Sequence, residues 1–265
     1  MALTTFQRSI CRILAPSRKE RESYVAGGLA LNVLLDAPRL SEDIDLFHDT
    51  MEALAFTVGE DCRLLEAAGH AVEFVREAPA FAEANIGKDG ESTTIQWVHD
   101  SAFRFFPLEE NRELGVTMHS FDLATNKVMA MVGRVKPRDW IDVMSCCEKL
   151  QPLGFLVWAA CGKDPGFNPV SLLQFIKRST RYTQPELDEL DFDGETPDAA
   201  ELGACWHGHV WDAERIVERL PAEHVGECVL SAEGGLCQAL PDDVSELRFH
   251  KGRIGGAMPT FPCGE

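Results

Sequence analysis

One stretch limits the possible folds of this chain more than any other: residues 24–47, YVAGGLALNVLLDAPRLSEDIDLF. A glycine pair opens an apolar, helix-like run, a polar turn follows, and two aspartates then sit at i and i+2 in an apolar, strand-like run. Alternate residues of a strand project from one face, so Asp43 and Asp45 put both carboxylates on one side while Ile44 and Leu46 turn to the other. A half-buried strand with an acidic face needs a compensating partner. Two adjacent carboxylates suit magnesium, which binds one or two carboxylates, keeps several waters and takes its remaining oxygens from substrate phosphates.

Upstream, Ser23 to Val25 reads as a short strand and Leu29 to Leu35 as a helix, which places Gly27 and Gly28 at a strand-to-helix turn. Backbone amides and the positive end of a helix dipole favour an anion there, and glycine allows it to come close. Arg39 and Ser41 lie on the approach to Asp43 and offer a guanidinium and a hydroxyl to the same anion. A nucleoside triphosphate with Mg2+ satisfies both halves of this pattern. A second block begins in a predicted helix over residues 122–133, where Lys127, Met131 and Arg134 share a face and give a cationic edge able to neutralise triphosphate charge. After the Lys136-Pro137 break a new helix is expected near Asp139, with Asp142 one turn further on.

Taken together, G-G-x-A-L over Gly27 to Leu31, R-x-S-x-D-x-D over Arg39 to Asp45, and Lys127-x-x-Ala130-x-x-x-Arg134-x-x-x-Arg138-Asp139-x-x-Asp142 resemble the AbiEii-type nucleotidyltransferase toxins. These form a branch of the DNA polymerase β-like nucleotidyltransferase superfamily. The resemblance spans Ser23 to Met144. It implies an α/β (α+β) fold, with a minimal nucleotidyltransferase core of mixed sheet flanked by helices and a mainly helical carboxy-terminal region. The implied reaction moves a nucleoside monophosphate from a triphosphate such as ATP or GTP to an acceptor hydroxyl, with loss of pyrophosphate. Two Mg2+ ions are expected, bound through Asp43 and Asp45. Gly27, Gly28 and Ser41 would cradle phosphates, with Arg39 and Arg134 as further contacts. Lys127 would stabilise developing charge, and Asp139 would orient or deprotonate a catalytic partner. The resemblance also implies a bacterial toxin or phage-defence effector, restrained by a separately encoded antitoxin. It leaves the acceptor open among a transfer RNA end, a protein side chain and a small molecule.

One position departs from the superfamily pattern. Many of its enzymes carry a third carboxylate on a later core strand, and the corresponding strand here, residues 93–98, has Gln96 in its place. Asp100, which keeps the strand parity, and Asp139 are the alternatives. Gln96 also supports a rival reading, a catalytically silent module that binds a nucleotide without turnover.

Composition bounds the remainder. The 265 residues carry a formal charge of -18 at pH 7, which disfavours broad contact with nucleic acid because each phosphate needs a local cation. Local basic clusters at 134–138, 177–181 and 248–253 remain as candidate grooves. Nine cysteines with no signal peptide point to reduced thiols and a cytoplasmic protein. Cys205, His207 and His209 lack the C-x-x-C partner of a structural zinc site. The longest apolar run, Gly154 to Cys161, is too short to cross a bilayer, so no membrane contact is expected.

The predicted organisation is a nucleotidyltransferase core with an amino-terminal helix over 1–118 and a mainly helical region over 119–265. Within the first, Phe6, Ile10 and Leu14 form one side of a helix. A helix over 51–69 leads to a strand near 71–76, and residues 88–91 form a hairpin turn between two more strands. Strands near 103–106 and 115–118 are expected to complete the sheet. In the second region, helices are expected over 171–180 and 206–220, an exposed acidic linker or helix edge over 185–201, and irregular chain over 252–265.

Overall fold

The computed structural model describes residues 3–18, 23–179 and 181–260. The chain divides into two compact units, Met1–Ala102 with Leu108–His119, and Phe103–Pro107 with Ser120–Glu265.

The first unit carries helix α1 (Thr5–Leu14), strand β1 (Ser23–Ala26), helix α2 (Gly27–Leu34), strand β2 (Asp43–His48), helix α3 (Met51–Ala67) and the strands β3 (Ala71–Ala78), β4 (Phe81–Lys88) and β5 (Glu91–His99). Two residues, Phe103–Arg104, form β6 in the second unit, after which β7 (Glu109–Asn111) and β8 (Gly115–Thr117) return to the first. Its seven-stranded sheet has the order β3-β4-β5-β2-β1-β8-β7. The sheet is mixed: β2 runs parallel to β5 and β1 parallel to β8, while β1–β2, β3–β4, β4–β5 and β7–β8 are antiparallel. The β4–β5 hairpin turns on Asp89 and Gly90, both at positive φ as a two-residue type I′ turn requires.

Alternation along β2 sets the two faces of this sheet. Ile44, Leu46 and His48 are buried with Ile95 and Trp97 of β5 and Ala84 and Ile86 of β4, whereas Asp43, Asp45 and Phe47 keep partial exposure on the other face. Helices α1 and α3 contribute Phe6, Ile10, Leu14, Leu54 and Leu65 to the core. The start of α1 is closed by a capping box in which Thr4 Oγ1 accepts from the Gln7 amide and Gln7 Oε1 accepts from the Thr4 amide, each at 3.1 Å. The same Gln7 donates through Nε2 to the Ser41 carbonyl at 2.7 Å, so a helix cap also holds the segment that leads into β2.

A buried polar group underlies α3. Arg18 forms an ion pair with Asp61 at 2.9 Å, with side chains 1% and 0% exposed, and its other terminal nitrogen donates to Ser23 Oγ at 2.6 Å. Trp97 Nε1 donates to the same Asp61 oxygen at 2.9 Å. His48, beside this pair, has its pKa pushed down to about 4, chiefly by burial.

The second unit continues with α4 (Ser120–Arg134), α5 (Pro137–Lys149), α6 (Leu153–Ala160), α7 (Pro169–Ser179), α8 (Gln184–Asp188) and α9 (Ala199–Arg219), followed by β9 (Cys228–Leu230), β10 (Arg248–His250) and β11 (Arg253–Ile254). Helix α6 is apolar on every side and buried throughout. Phe155 and Trp158 from it join Ile216 and Leu220 around α9, with Val229, Cys237 and Leu247, in one core. Of the two readings of the acidic stretch over 185–201, the structure shows the helix edge: it overlaps α8 and holds the Asp198 cap of α9, whose carboxylate accepts from the Ala200 and Glu201 amides at 2.9 Å. The eight described cysteines are unpaired. Burial pushes the Cys11 thiol up to about 11 and the Cys161 thiol up to about 12.

One expected strand of the sheet lies elsewhere. Residues 103–106 were expected to complete it, but β6 pairs antiparallel with β11 in the second unit. The cause is Asp122, whose carboxylate accepts from the Phe105 and Phe106 amides at 2.9 and 3.0 Å and from Lys163 at 2.7 Å, while Phe105 and Phe106 stack edge-on against Phe121. The expected irregular tail therefore contains β11, and residues 261–265 fall outside the described residues.

Titration of His48 gives a stability test with a definite sign. Below its ordinary pKa of 6.5 the unfolded chain takes up a proton that the folded chain refuses until about pH 4. Stability therefore falls as pH drops through that window, by about 3 kcal/mol at about 1.4 kcal/mol per pKa unit. Urea unfolding at pH 7, 5.5 and 4 should show this loss, and a His48→Leu variant should flatten it. An equal slope in the variant would assign the acid sensitivity to other groups.

Candidate active site

Asp45 lies opposite Ala26 in the β1–β2 ladder, so its carboxylate reaches the start of α2, which follows Ala26 directly. The approach is close enough to dictate a residue type. Gly27 has φ +69°, and a Cβ added there would overlap the Asp45 carboxylate. Only glycine meets both demands, the left-handed backbone and the absent side chain. Ala26, as the N-cap of α2, has no side-chain acceptor for the first amides of that helix.

On its other side β2 pairs in parallel with β5, and the register places Thr94 beside Asp43 and Gln96 beside Asp45. The next antiparallel step places Asn85 beside Thr94 and Glu83 beside Gln96, and the one after places Arg76 beside Glu83. Register partners share a face, so one row reads Asp45, Gln96, Glu83, Arg76 across four strands. Glu83 was not singled out from sequence. Its parity within β4 was available, but only the pairing puts it in the row of Asp45. Asp100 lies four residues beyond Gln96, about 13 Å along the strand at about 3.3 Å per residue, and its carboxylate accepts from the Ser101 amide at 2.7 Å.

Arg39 is 4% exposed, and its guanidinium donates to the Leu40 carbonyl at 2.7 Å while its own carbonyl accepts from Asn32 at 3.0 Å. The Ser41 hydroxyl is 3.4 Å from the Asp43 carbonyl. Gly27, Gly28, Arg39, Ser41, Asp43 and Asp45 thus all belong to the short path from the start of α2 to the start of β2.

In the second unit the other residues of interest form one buried ion cluster. Lys127, in α4, lies 3.1 Å from Asp139 and 2.8 Å from Asp142, both in α5 and both fully buried. Arg134 Nε and Nη2 donate to the two Asp139 oxygens at 2.7 and 2.9 Å, a bidentate fork. Burial by itself would raise the Asp139 pKa, but the Arg134 hydrogen bonds and the Lys127 charge outweigh it, so the carboxyl is held below its ordinary 3.8. The geometry follows from sequence. Lys127 and Arg134 share one side of α4, Pro137 starts α5 three residues after α4 ends, and Asp139 and Asp142 lie one turn apart on α5.

Among the described residues no group of three or more His, Cys, Asp and Glu side chains is arranged to hold a metal ion. Asp43 and Asp45 alone fit an ion that completes its shell with phosphate oxygens and water. The pair lies on one strand face, and the start of α2 beside Asp45 is suited to the anion that such an ion accompanies.

Residues 8–110 match the family described as "Nucleotidyl transferase AbiEii toxin, Type IV TA system". That range holds the AbiEii-like path from Gly27 to Asp45 together with Glu83 and Gln96; the Lys127–Asp142 block lies beyond it. No curated protein matches the chain. Among solved structures, MenT4, a nucleotidyltransferase toxin from Mycobacterium tuberculosis, is 13% identical with a TM-score of 0.49, over 82% of this chain and 84% of its own. JHP933 from Helicobacter pylori is 18% identical with a TM-score of 0.43, over 78% and 91%. The Megavirus polyadenylate synthase is 12% identical with a TM-score of 0.39, over 62% and 38%. Identities this low transfer no residue roles, and the family match is confined to residues 8–110.

Two variants test the two halves of this description. Gly27→Ala should destabilise the first unit by about 1 kcal/mol or more from the left-handed backbone alone, with a further loss from the collision with Asp45. A variant as stable as the parent in urea unfolding would contradict the geometry. Asp139→Asn should cost about 3–5 kcal/mol, because it strips a buried lysine of one of its carboxylates. In the parent, the contribution of Asp139 is present above its ordinary pKa and is lost as pH falls below it.

Proposed function

We propose that this protein is a magnesium-dependent nucleotidyltransferase that moves a nucleoside monophosphate from a nucleoside triphosphate to an acceptor hydroxyl. The observation that carries this reading is the approach of Asp45 to Gly27, which sets a two-carboxylate strand face against the start of a helix. Asp43 and Asp45 would hold the metal. When bound, magnesium neutralises phosphate charge and favours in-line displacement at phosphorus. The amides of Gly27 and Gly28 would hold a phosphate of the nucleotide, with the Ser41 hydroxyl as a further contact. Arg39 would support the phosphate-binding path from within, since its guanidinium is tied to the Leu40 carbonyl.

Within the second unit, Lys127 and Arg134 would offer positive charge to a phosphate. Asp139 would act as a positioning residue that holds Lys127, since its carboxylate is kept ionised and is engaged by both cations. Glu83, the next acid in the row of Asp45, would take the proton of the acceptor hydroxyl in place of the acid that Gln96 replaces. The AbiEii match supports a toxin role and a partner antitoxin. The acceptor is a transfer RNA end, a protein side chain or a small molecule, and the acidic composition favours the last two. No described helix is long and apolar enough to cross a membrane.

A second reading, a nucleotide-binding module without turnover, is favoured by Gln96 at the position beside Asp45. Both are tested by incubating the protein with Mg2+ and triphosphates labelled separately on the α- and γ-phosphate, in an extract that holds RNA, proteins and metabolites. Transfer of the α-label that is lost in Asp43→Asn establishes nucleotidyl transfer, while binding without transfer supports the silent module. Glu83→Gln should lower the rate at least about 100-fold if Glu83 is the base. A rate within threefold of the parent would remove it from that role.

A further inference from the structure

Among the buried side-chain polar atoms of the first unit that have no hydrogen-bond partner are His48 Nε2, Thr57 Oγ1 and Asp61 Oδ1. Shared partners connect the residues that carry them. Thr57 and Asp61 are one turn apart on α3 and share a face. Asp61 is fixed there by Arg18 and Trp97, both of which donate to Oδ2 and leave Oδ1 over. Arg18 also donates to Ser23, and Ser23 is the register partner of His48 on the adjacent strand. His48 responds to the charges of both Arg18 and Asp61, as a ring packed beside that pair would.

The chemistry of the three atoms is complementary to one ligand. His48 Nδ1 is 3.3 Å from the Val98 carbonyl, an acceptor, so Nδ1 carries the proton and Nε2 offers a lone pair. Asp61 Oδ1 is also an acceptor, and the Thr57 hydroxyl is a donor. Two acceptors and one donor match a water molecule that donates twice and accepts once. The Arg18 guanidinium disfavours a cation at this point, and the Asp61 carboxylate disfavours an anion. Burial of three such atoms without a partner is costly, and buried waters typically make about three hydrogen bonds to groups of this kind.

We propose that one internal water molecule bridges His48 Nε2, Thr57 Oγ1 and Asp61 Oδ1. It ties α3 to the end of β2, the strand that carries Asp43 and Asp45, and it binds in the unligated protein whatever the reaction catalysed. A crystal structure of the full chain at high resolution tests this directly. Density for one water within hydrogen-bond distance of all three atoms establishes the site, and an empty site or a direct bond between any two of the three overturns it. The Thr57→Val variant provides a test by sign. In a hydrated site the substitution breaks a hydrogen bond and the urea midpoint falls. In a dry site it removes an unpartnered hydroxyl, so the midpoint stays level or rises, and that result overturns the proposal. Should the variant fail to fold, the crystallography of the parent still decides.

Discussion

The contact between Asp45 and Gly27 is the constraint on which the rest of the first unit depends. The antiparallel pairing of β1 and β2 sets Asp45 opposite Ala26, and the chain turns into α2 at the next residue. A carboxylate then occupies the space where every other amino acid would place its Cβ. The arrangement concentrates negative charge next to the positive end of a helix, which is stable locally and becomes more favourable with a cation and phosphates between them. Both sides of this contact are held from behind. The Gln7 side chain grips the segment before β2, and the Arg18–Asp61–Trp97 group fixes α3 beneath the same strand.

The ion cluster of the second unit illustrates a different balance. Asp139 is fully buried, an environment that opposes ionisation, yet it remains charged because a bidentate guanidinium and an ammonium together offset the desolvation. Arg134 is half exposed and so screened by solvent, which leaves Lys127 as the partner whose loss would be felt most. A lysine shared between Asp139 and Asp142 has its position defined at both ends. Such a residue is better suited to stabilising charge at one place than to sampling many.

Several of these features could be read from the sequence because they depend on short spacings. Two aspartates at i, i+2 define one strand face, Gly27-Gly28 marks a strand-to-helix turn, and Asp89-Gly90 marks a hairpin. Lys127 and Arg134 on one side of a helix, followed by Pro137 and the two aspartates of α5, already bring the cluster together across a short connection. Other features had no local signal. Nothing in residues 103–106 reveals that Asp122 captures their amides, and nothing around Glu83 reveals that it shares a row with Asp45.

The sequence alone determined helices α1 to α3 and strands β1 to β5 and β8, the acidic face of β2, the glycine turn beside it and the family to which residues 8–110 are matched. These depend on side-chain periodicity and on backbone conformations that few residues tolerate. Tertiary structure decided the parallel partner of β2, the placing of Gln96 beside Asp45 with Glu83 one strand further out, the transfer of β6 to the second unit and the buried group under α3. The parallel pairings join residues 51 positions apart between β2 and β5 and 92 apart between β1 and β8, and no local pattern encodes which strands meet or at what register. That outcome is set by the burial of the whole apolar face at once.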